Sequence, residues 1–564
     1  MKIPTDLVER EGFYKEVIDV CFASLSRRRV GYDTLMHYFT YGCAPDQGET
    51  PYNKIYPIID TLTAFLYSAD STRFSANMGP ETPDEEWDKA PAISKAVNSE
   101  WSNTNADRIF GESLVLSEVY NSAFVKLLVK NGHLVPYTIE PHCIGVYRED
   151  VNGLDRQEAI AHSYYISKSQ LENEIENHPN KEAILKRLHA KPLRDTHDDM
   201  PEGLRRIIVT NAAGTSPLSP GNTIRGNSNI FTNDRIDYSP QIAVDLIEMV
   251  ELWIWNDETH DYQTVTMADS AVTIYDRANI FIQGEHPFTQ ICPNQKHGYF
   301  WGVSEVARLT GLQAWRNLRM DEIKDLLAKQ VDPPTSLEGW TGAIDEIDFA
   351  LNKAGGVLST SDPMTKINRY KPDISQDIWN DIRQIDEMFS EAAALPNLLM
   401  GKGESGVRSG KQTSELSRLG SARIKKRALA VEDALQYMAT KYYKAMRKYD
   451  ADKYLTEPTK PGVKPMKFIM NQAPEDLIVK VDAHSNSPLF AEDKKSDAQS
   501  LLEAHAIDRE SFIEMIDPPM KDILIRRLKA MEIKEAESAK AKMAHEEKMV
   551  AAKQAAPHQA TRAS

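Results

Sequence analysis

His297-Gly298-Tyr299-Phe300-Trp301-Gly302-Val303-Ser304 runs straight into a stretch that reads as one helix as far as Gln330. Val306, Leu309, Leu312, Trp315, Leu318, Ile323, Leu326 and Leu327 form an apolar stripe along it. Pro333-Pro334 ends it, because proline brings no amide hydrogen to the helical ladder. An insert rich in Gly and Asp follows, Thr335 to Pro372. Helical spacing then resumes: Ile374, Ile378, Ile382, Ile385 and Phe389 step by four, four, three and four, with Asp373 placed as N-cap and Pro396 as the stop. A glycine-rich stretch, Gly401 to Gly410, leads into the longest expected helix, Lys411 to Tyr449. There Ile424, Ala428, Val431, Leu435, Met438, Tyr442 and Ala445 alternate steps of four and three, a seven-residue repeat.

Upstream, the first 130 residues read mainly as helix. The clearest piece runs from Ser102 to Lys130, with Asn131-Gly132 as its stop. Leu134 to Arg148, rich in β-branched and aromatic residues, reads as short strands. Asn180 to Lys191 is helical, with Asn180 as N-cap, and Gly214 to Asn229 is loop. Val250–Trp255 and Tyr262–Thr266 flank a polar turn and predict a β-hairpin. Downstream, Tyr454 to Ala483 predicts a hairpin around Pro461-Gly462. Glu492 to Ile533 predicts two short helices, and Lys534 to Ser564 a frayed or unstructured tail. The fold class is therefore α+β.

The chain has 564 residues, too many for one core, with 41% hydrophobic and 27% charged residues as in an ordinary globular protein. Its formal charge is −16. A surface built to grip nucleic acid broadly would be basic, so any nucleic-acid contact is local or weak. Cys21, Cys43, Cys143 and Cys292 form no CxxC pair, which argues against a disulfide framework or zinc site and for reduced, buried thiols. No apolar run approaches the length that spans a bilayer, and the start lacks the apolar stretch of a signal peptide. The expectation is no membrane and assembly in the cytosol.

Several patterns invite an enzymatic reading. Gly401-x-Gly403-x-x-Gly406 matches a dinucleotide fingerprint, but a helix and a proline precede it where a strand is needed. Gly406 to Thr413 resembles a phosphate-binding loop one residue short, with Gln412 where Ser or Thr is required. A hinge between helices explains these glycines better. His286, Cys292 and His297 fit no common zinc spacing, and Asp345, Glu346 and Asp348 lack a nearby nucleophile or partner. No catalytic residue, metal site or cofactor is expected.

Glu285-His286-Pro287-Phe288, then His297 to Ser304, a helix carrying Gln313 and Asn317, a compact insert, a second helix, Gly406-Val407-Arg408-Ser409-Gly410 and a long helix: this order resembles the portal proteins of tailed, especially short-tailed, bacteriophages. The resemblance is firmest over residues 285 to 450. It implies a wing (1–303 with 450–489), stem helices at 304–330 and 374–394, and a clip at 331–373. It further implies a tunnel loop at 395–411, a long wing helix at 412–449, a helical crown at 490–545 and a flexible tail at 546–564. It implies a homo-oligomeric ring, in the family of twelve subunits, at a virion capsid vertex. Double-stranded DNA passes through such a ring without sequence reading. The partners implied are the large terminase subunit, the major capsid protein, a head-to-tail adaptor and a scaffold. The alternatives are a packaging nucleotide hydrolase and a head or scaffold protein without a channel.

The charges are consistent with a conduit. The two helices would be about 40 Å and 31 Å long at 1.5 Å per residue. The polar side of the second carries Asp377, Asp381, Asp386, Glu387 and Glu391 against Arg383, an acidic channel lining that would repel phosphate. Basic residues gather from Gly401 to Arg427; Lys402, Arg408 and Lys411 are the tunnel-loop candidates for weak phosphate contact.

Overall fold

The computed structural model describes the chain from Met1 to residue 531, except 46–51, 69–71, 78–88, 193–244, 339–363, 394–421, 451–453, 457–466, 482–497, 517–526 and interruptions of one or two residues. It divides into two compact units, Met1–Asn486 and Ser487–Ser564. The fold is mixed, with helices and antiparallel sheets.

The first unit begins with α1 (Leu7–Cys21), α2 (Leu25–Tyr41) and α3 (Ile55–Leu66), then β1 (Phe74–Asn77), α4 (Ala90–Asn103) and α5 (Ala106–Tyr120). Next come β2 (Ala123–Lys130), β3 (His133–Ile139), β4 (Ile144–Val146), β5 (Ala159–Ser167), α6 (Lys168–Glu174), α7 (Lys181–Arg187) and β6 (Lys191–Pro192). The strands β7 (Asp245–Asn256), β8 (Asp261–Ala268), β9 (Val272–Ala278) and β10 (Phe288–Ile291) lead to α8 (Glu305–Val331). The strands β11 (Thr335–Glu338) and β12 (Lys366–Arg369) separate α8 from α9 (Gln376–Ala392). After α10 (Ala422–Tyr449) come β13 (Tyr454–Thr456), β14 (Lys467–Ile469) and β15 (Ile478–Val481). In the second unit α11 spans Arg509–Ile516.

The largest sheet runs β4-β5-β7-β8-β9, with β6 also on β7. The expected hairpin is present as β7–β8, paired from Met249↔Ala268 to Asn256↔Asp261. Alternation along β7 serves two cores. Val250, Leu252 and Ile254 pack with Tyr14, Val17 and Ile18 of α1, whereas Ile247 and Met249 pack with Leu171 of α6 and Ile184 of α7. A second sheet runs β10-β2-β3. All four cysteines are free; Cys21, Cys43 and Cys292 are buried and Cys143 is half-buried.

Three expectations are corrected. Ser102 to Lys130 is not one helix: Asn105 and Asn121 take positive φ (53° and 105°), and the chain after them is strand β2. Ala123 to Leu127 of β2 are buried in succession, on both faces of the strand, so the apolar residues there do not alternate and mimic helical spacing. Strands β2 and β3 pair as far as Lys130↔His133, and Asn131-Gly132, the expected helix stop, lies outside the described residues. The segment from Tyr454 to Ala483 is only partly a hairpin: β13 pairs with β14, but β15 pairs with the distant β1. The N-cap of α9 is Ser375, whose Oγ accepts from the Asp377 amide, rather than Asp373. Asn180 does occupy the N-cap position of α7 but makes no side-chain cap bond.

Candidate functional site

Two long helices and the residues that root them form the candidate site. The lead-in is fixed before α8 begins. Trp301 is fully buried, its indole N–H donates to Glu149 Oε1 (2.6 Å), and the Arg28 guanidinium lies 3.7 Å from its ring centroid. Gly302 has φ +70°, and a Cβ there would stand 2.5 Å from Cys292 Sγ. Only glycine meets both conditions without displacement. Ser304 Oγ accepts from the Ala307 amide (3.0 Å) and donates to Val119 O (2.6 Å), which caps α8 and pins its start to the end of α5.

Gln313 and Asn317 sew α8 to the chain between α2 and α3. Gln313 Oε1 accepts from the Lys54 amide (3.0 Å) and its Nε2 donates to Tyr52 O (3.2 Å) and to Asn317 Oδ1 (2.8 Å). Asn317 Nδ2 donates to Gly42 O (2.7 Å). One turn on, buried Arg316 pairs with Asp386 (2.9 Å) and donates to Tyr52 O (3.2 Å), while Lys54 also reaches Asp386 (3.3 Å). Arg319 pairs with Asp381 (2.6 Å) and with Glu322 (2.7 Å). Partner numbers fall along α9 as they rise along α8, so the two helices are antiparallel. Ile382, Ile385 and Phe389 are buried as their spacing predicts.

The charged residues fall differently from the expectation. Asp381 and Asp386 brace α9 against α8, so their charges are matched within the chain; Asp377 is exposed. Lys402, Arg408 and Lys411 lie outside the described residues, as do both glycine-loop patterns. The stripe on α8 is also rotated. Val306, Leu309 and Ile323 are buried, but Trp315 (36% exposed) and Leu318 (55%) face outward, and the inward positions between are Gln313 and Arg316. Leu327, Val331 and, on α9, Trp379 (43%) are exposed too.

Two buried charge clusters were missed from sequence. At the root, Glu118 and Glu305 are fully buried and Arg427 donates to Glu305 (3.0 Å). Burial pushes the Glu118 carboxyl up to about 7. Further along α10, buried Lys441 donates to His286 O (2.7 Å) and Phe288 O (2.6 Å). His286 Nδ1, which accepts from the Phe288 amide (3.3 Å), is 3.3 Å from Lys441 Nζ, and its Nε2 faces Asp155 (3.4 Å). Burial lowers Lys441 to about 7 and His286 to about 4. The signal in the sequence was a lone charge inside an otherwise apolar helical face, Glu118 beside Leu114 and Lys441 beside Met438 and Tyr442. Among the described residues no group of three or more His, Cys, Asp or Glu is placed to hold a metal, and no helix is long and apolar enough to cross a membrane.

No protein-family model matches the sequence, and no curated protein does. Among solved structures, the chain is similar to one in the virion of a native gene transfer agent particle (8% identity, TM-score 0.42, covering 86% of this chain and 93% of that one). It is similar also to one in the neck of an empty gene transfer agent particle (7% identity, TM-score 0.41, with the same coverage).

Proposed function

We propose that this chain is a portal subunit: copies of it close into a ring, of twelve by resemblance, at one capsid vertex of a phage-like particle, and double-stranded DNA passes through the centre. The observation that carries this reading is the antiparallel pair α8–α9. It is braced by Arg316–Asp386 and Arg319–Asp381, and it leaves Trp315, Leu318 and Trp379 uncovered in the single chain. Large apolar side chains on a rooted arm are suited to contact with a neighbouring copy, and head-to-tail contacts of that kind form a ring where the rotation between copies closes.

In this reading α8 and α9 are the stem, and the insert between them is the clip that docks the terminase and later the tail adaptor. The segment 395–411, with Lys402, Arg408 and Lys411, is the tunnel loop. Asp377 remains available as an acidic lining, while Asp381 and Asp386 stiffen the stem. The chain performs no chemistry of its own and needs no cofactor; its capsid partners are the major capsid protein and a scaffold. Native mass measurement of the intact chain tests the reading. A closed assembly near twelve copies is expected, and monomers or dimers at every ionic strength would refute it.

A further inference from the structure

We infer that Glu118, Glu305 and Arg427 form a proton-sensitive joint holding together the end of α5, the start of α8 and the early turns of α10, with Glu118 the group that takes up the proton. The inference is independent of ring formation, because all three residues belong to one chain.

The geometry is that of an incompletely paired buried cluster. Both carboxylates are fully buried and Arg427 is 7% exposed. Glu305 Oε2 accepts from Arg427 Nη2 and from Arg308 Nη1, each at 3.0 Å. Glu118 Oε2 accepts from Asn294 Nδ2 at 2.7 Å, a neutral donor, and among the described residues no cation is bonded to it. Glu118 Oε1, Glu305 Oε1 and Arg427 Nη1 are buried without a hydrogen-bond partner. Orphaned polar atoms are costly inside a protein, and a second negative charge next to Glu305 is costlier still. A proton on Glu118 removes that charge and turns one acceptor into a donor.

The groups facing Glu118 are Arg427 from α10, Glu305 and Arg308 from α8, and Asn294 and Cys292 from the loop before α8. Burial raises the Glu118 carboxyl most and Glu305 raises it further. Arg427, Asn294 and Arg308 oppose them, and the result is about 7 against an ordinary 4.5. The sign follows from linkage. The folded value lies above the unfolded one, so the joint contributes its full stability below 4.5 and loses it as pH rises through about 7. The hold of α10 on the root of α8 is therefore weaker on the alkaline side.

Infrared titration of the full-length chain tests this. A protonated carboxylic C=O band should persist to about pH 7 and be missing from Glu118→Gln. The same variant should melt above the unaltered chain at about pH 7.5, with a flatter decline of Tm between about pH 4.5 and 7.5. If the band is lost together with the ordinary carboxylates near pH 4 to 5, or if Glu118→Gln melts lower at about pH 7.5 with an unchanged slope, the inference is wrong. Should the variant fail to fold, the titration of the unaltered chain decides alone.

Discussion

Arg316 and Asp386 tie three elements with two side chains. Arg316 donates to Asp386 on α9 and to Tyr52 O ahead of α3, and Lys54 shares Asp386. Breaking a buried pair strands the remaining charge, but Asp386 keeps 28% side-chain exposure and a second partner. Arg316→Met is therefore expected to cost about 1–3 kcal/mol, below the range for fully buried pairs. A double-mutant cycle with Asp386→Asn, read by urea denaturation, should show coupling of about 0.5–3 kcal/mol. Gly302→Ala should cost about 2 kcal/mol or more, because an alanine must both hold a positive φ and displace Cys292 Sγ. Lys441→Met leaves His286 O and Phe288 O without a donor and should cost about 1–3 kcal/mol for each. Lys441 is lowered to about 7 from 10.5, so its stabilising effect is present above 10.5 and lost as pH falls through about 7. The methionine variant should lack that rise in alkaline melting curves.

Among elements, α8 and α9 separate the apolar residues that fold the chain from those left for something else. Trp315→Ser with Leu318→Ser removes side chains that are 36% and 55% exposed, so the single chain should lose only about 1–2 kcal/mol and stay folded. Sedimentation should then show loss of assembly; unchanged assembly would place the subunit contact elsewhere. The same elements mark how far the sequence could be read. Helix α10 was legible because one face is buried throughout: Ile424, Ala428, Val431, Leu435, Met438, Tyr442 and Ala445 all lie inside. The pairing of α8 with α9 was implied by the resemblance and not by any pattern in the residues themselves. The inner face of α8 did not, because periodicity cannot tell an apolar stripe that packs inward from one that packs on a neighbour. Gln313 and Arg316 face inward because Tyr52 presents a carbonyl that needs donors, as Gly42 does to Asn317, which only the tertiary structure reveals. Strand β2 was misread for the related reason that a strand buried on both sides loses its alternation. The joint of Glu118 with Glu305 and Arg427 joins positions more than three hundred residues apart in sequence, beyond any local pattern.

At the scale of the whole molecule the governing quantities are charge and closure. Each chain carries a formal charge of −16, so every added copy raises the repulsion that assembly must overcome. Screening shortens that repulsion to about 8 Å at physiological ionic strength, so assembly should strengthen as salt rises from low values. Native mass spectra across a salt series check this, and assembly favoured at the lowest salt would mean that attraction between charges drives the contact instead. The central claim is a closed ring with a passage for DNA. The most direct measurement is two-dimensional averaging of electron images of the purified full-length chain. The account predicts end-on views of a closed ring with an open centre wide enough for a duplex. Solid discs, open filaments or dispersed single chains would contradict it.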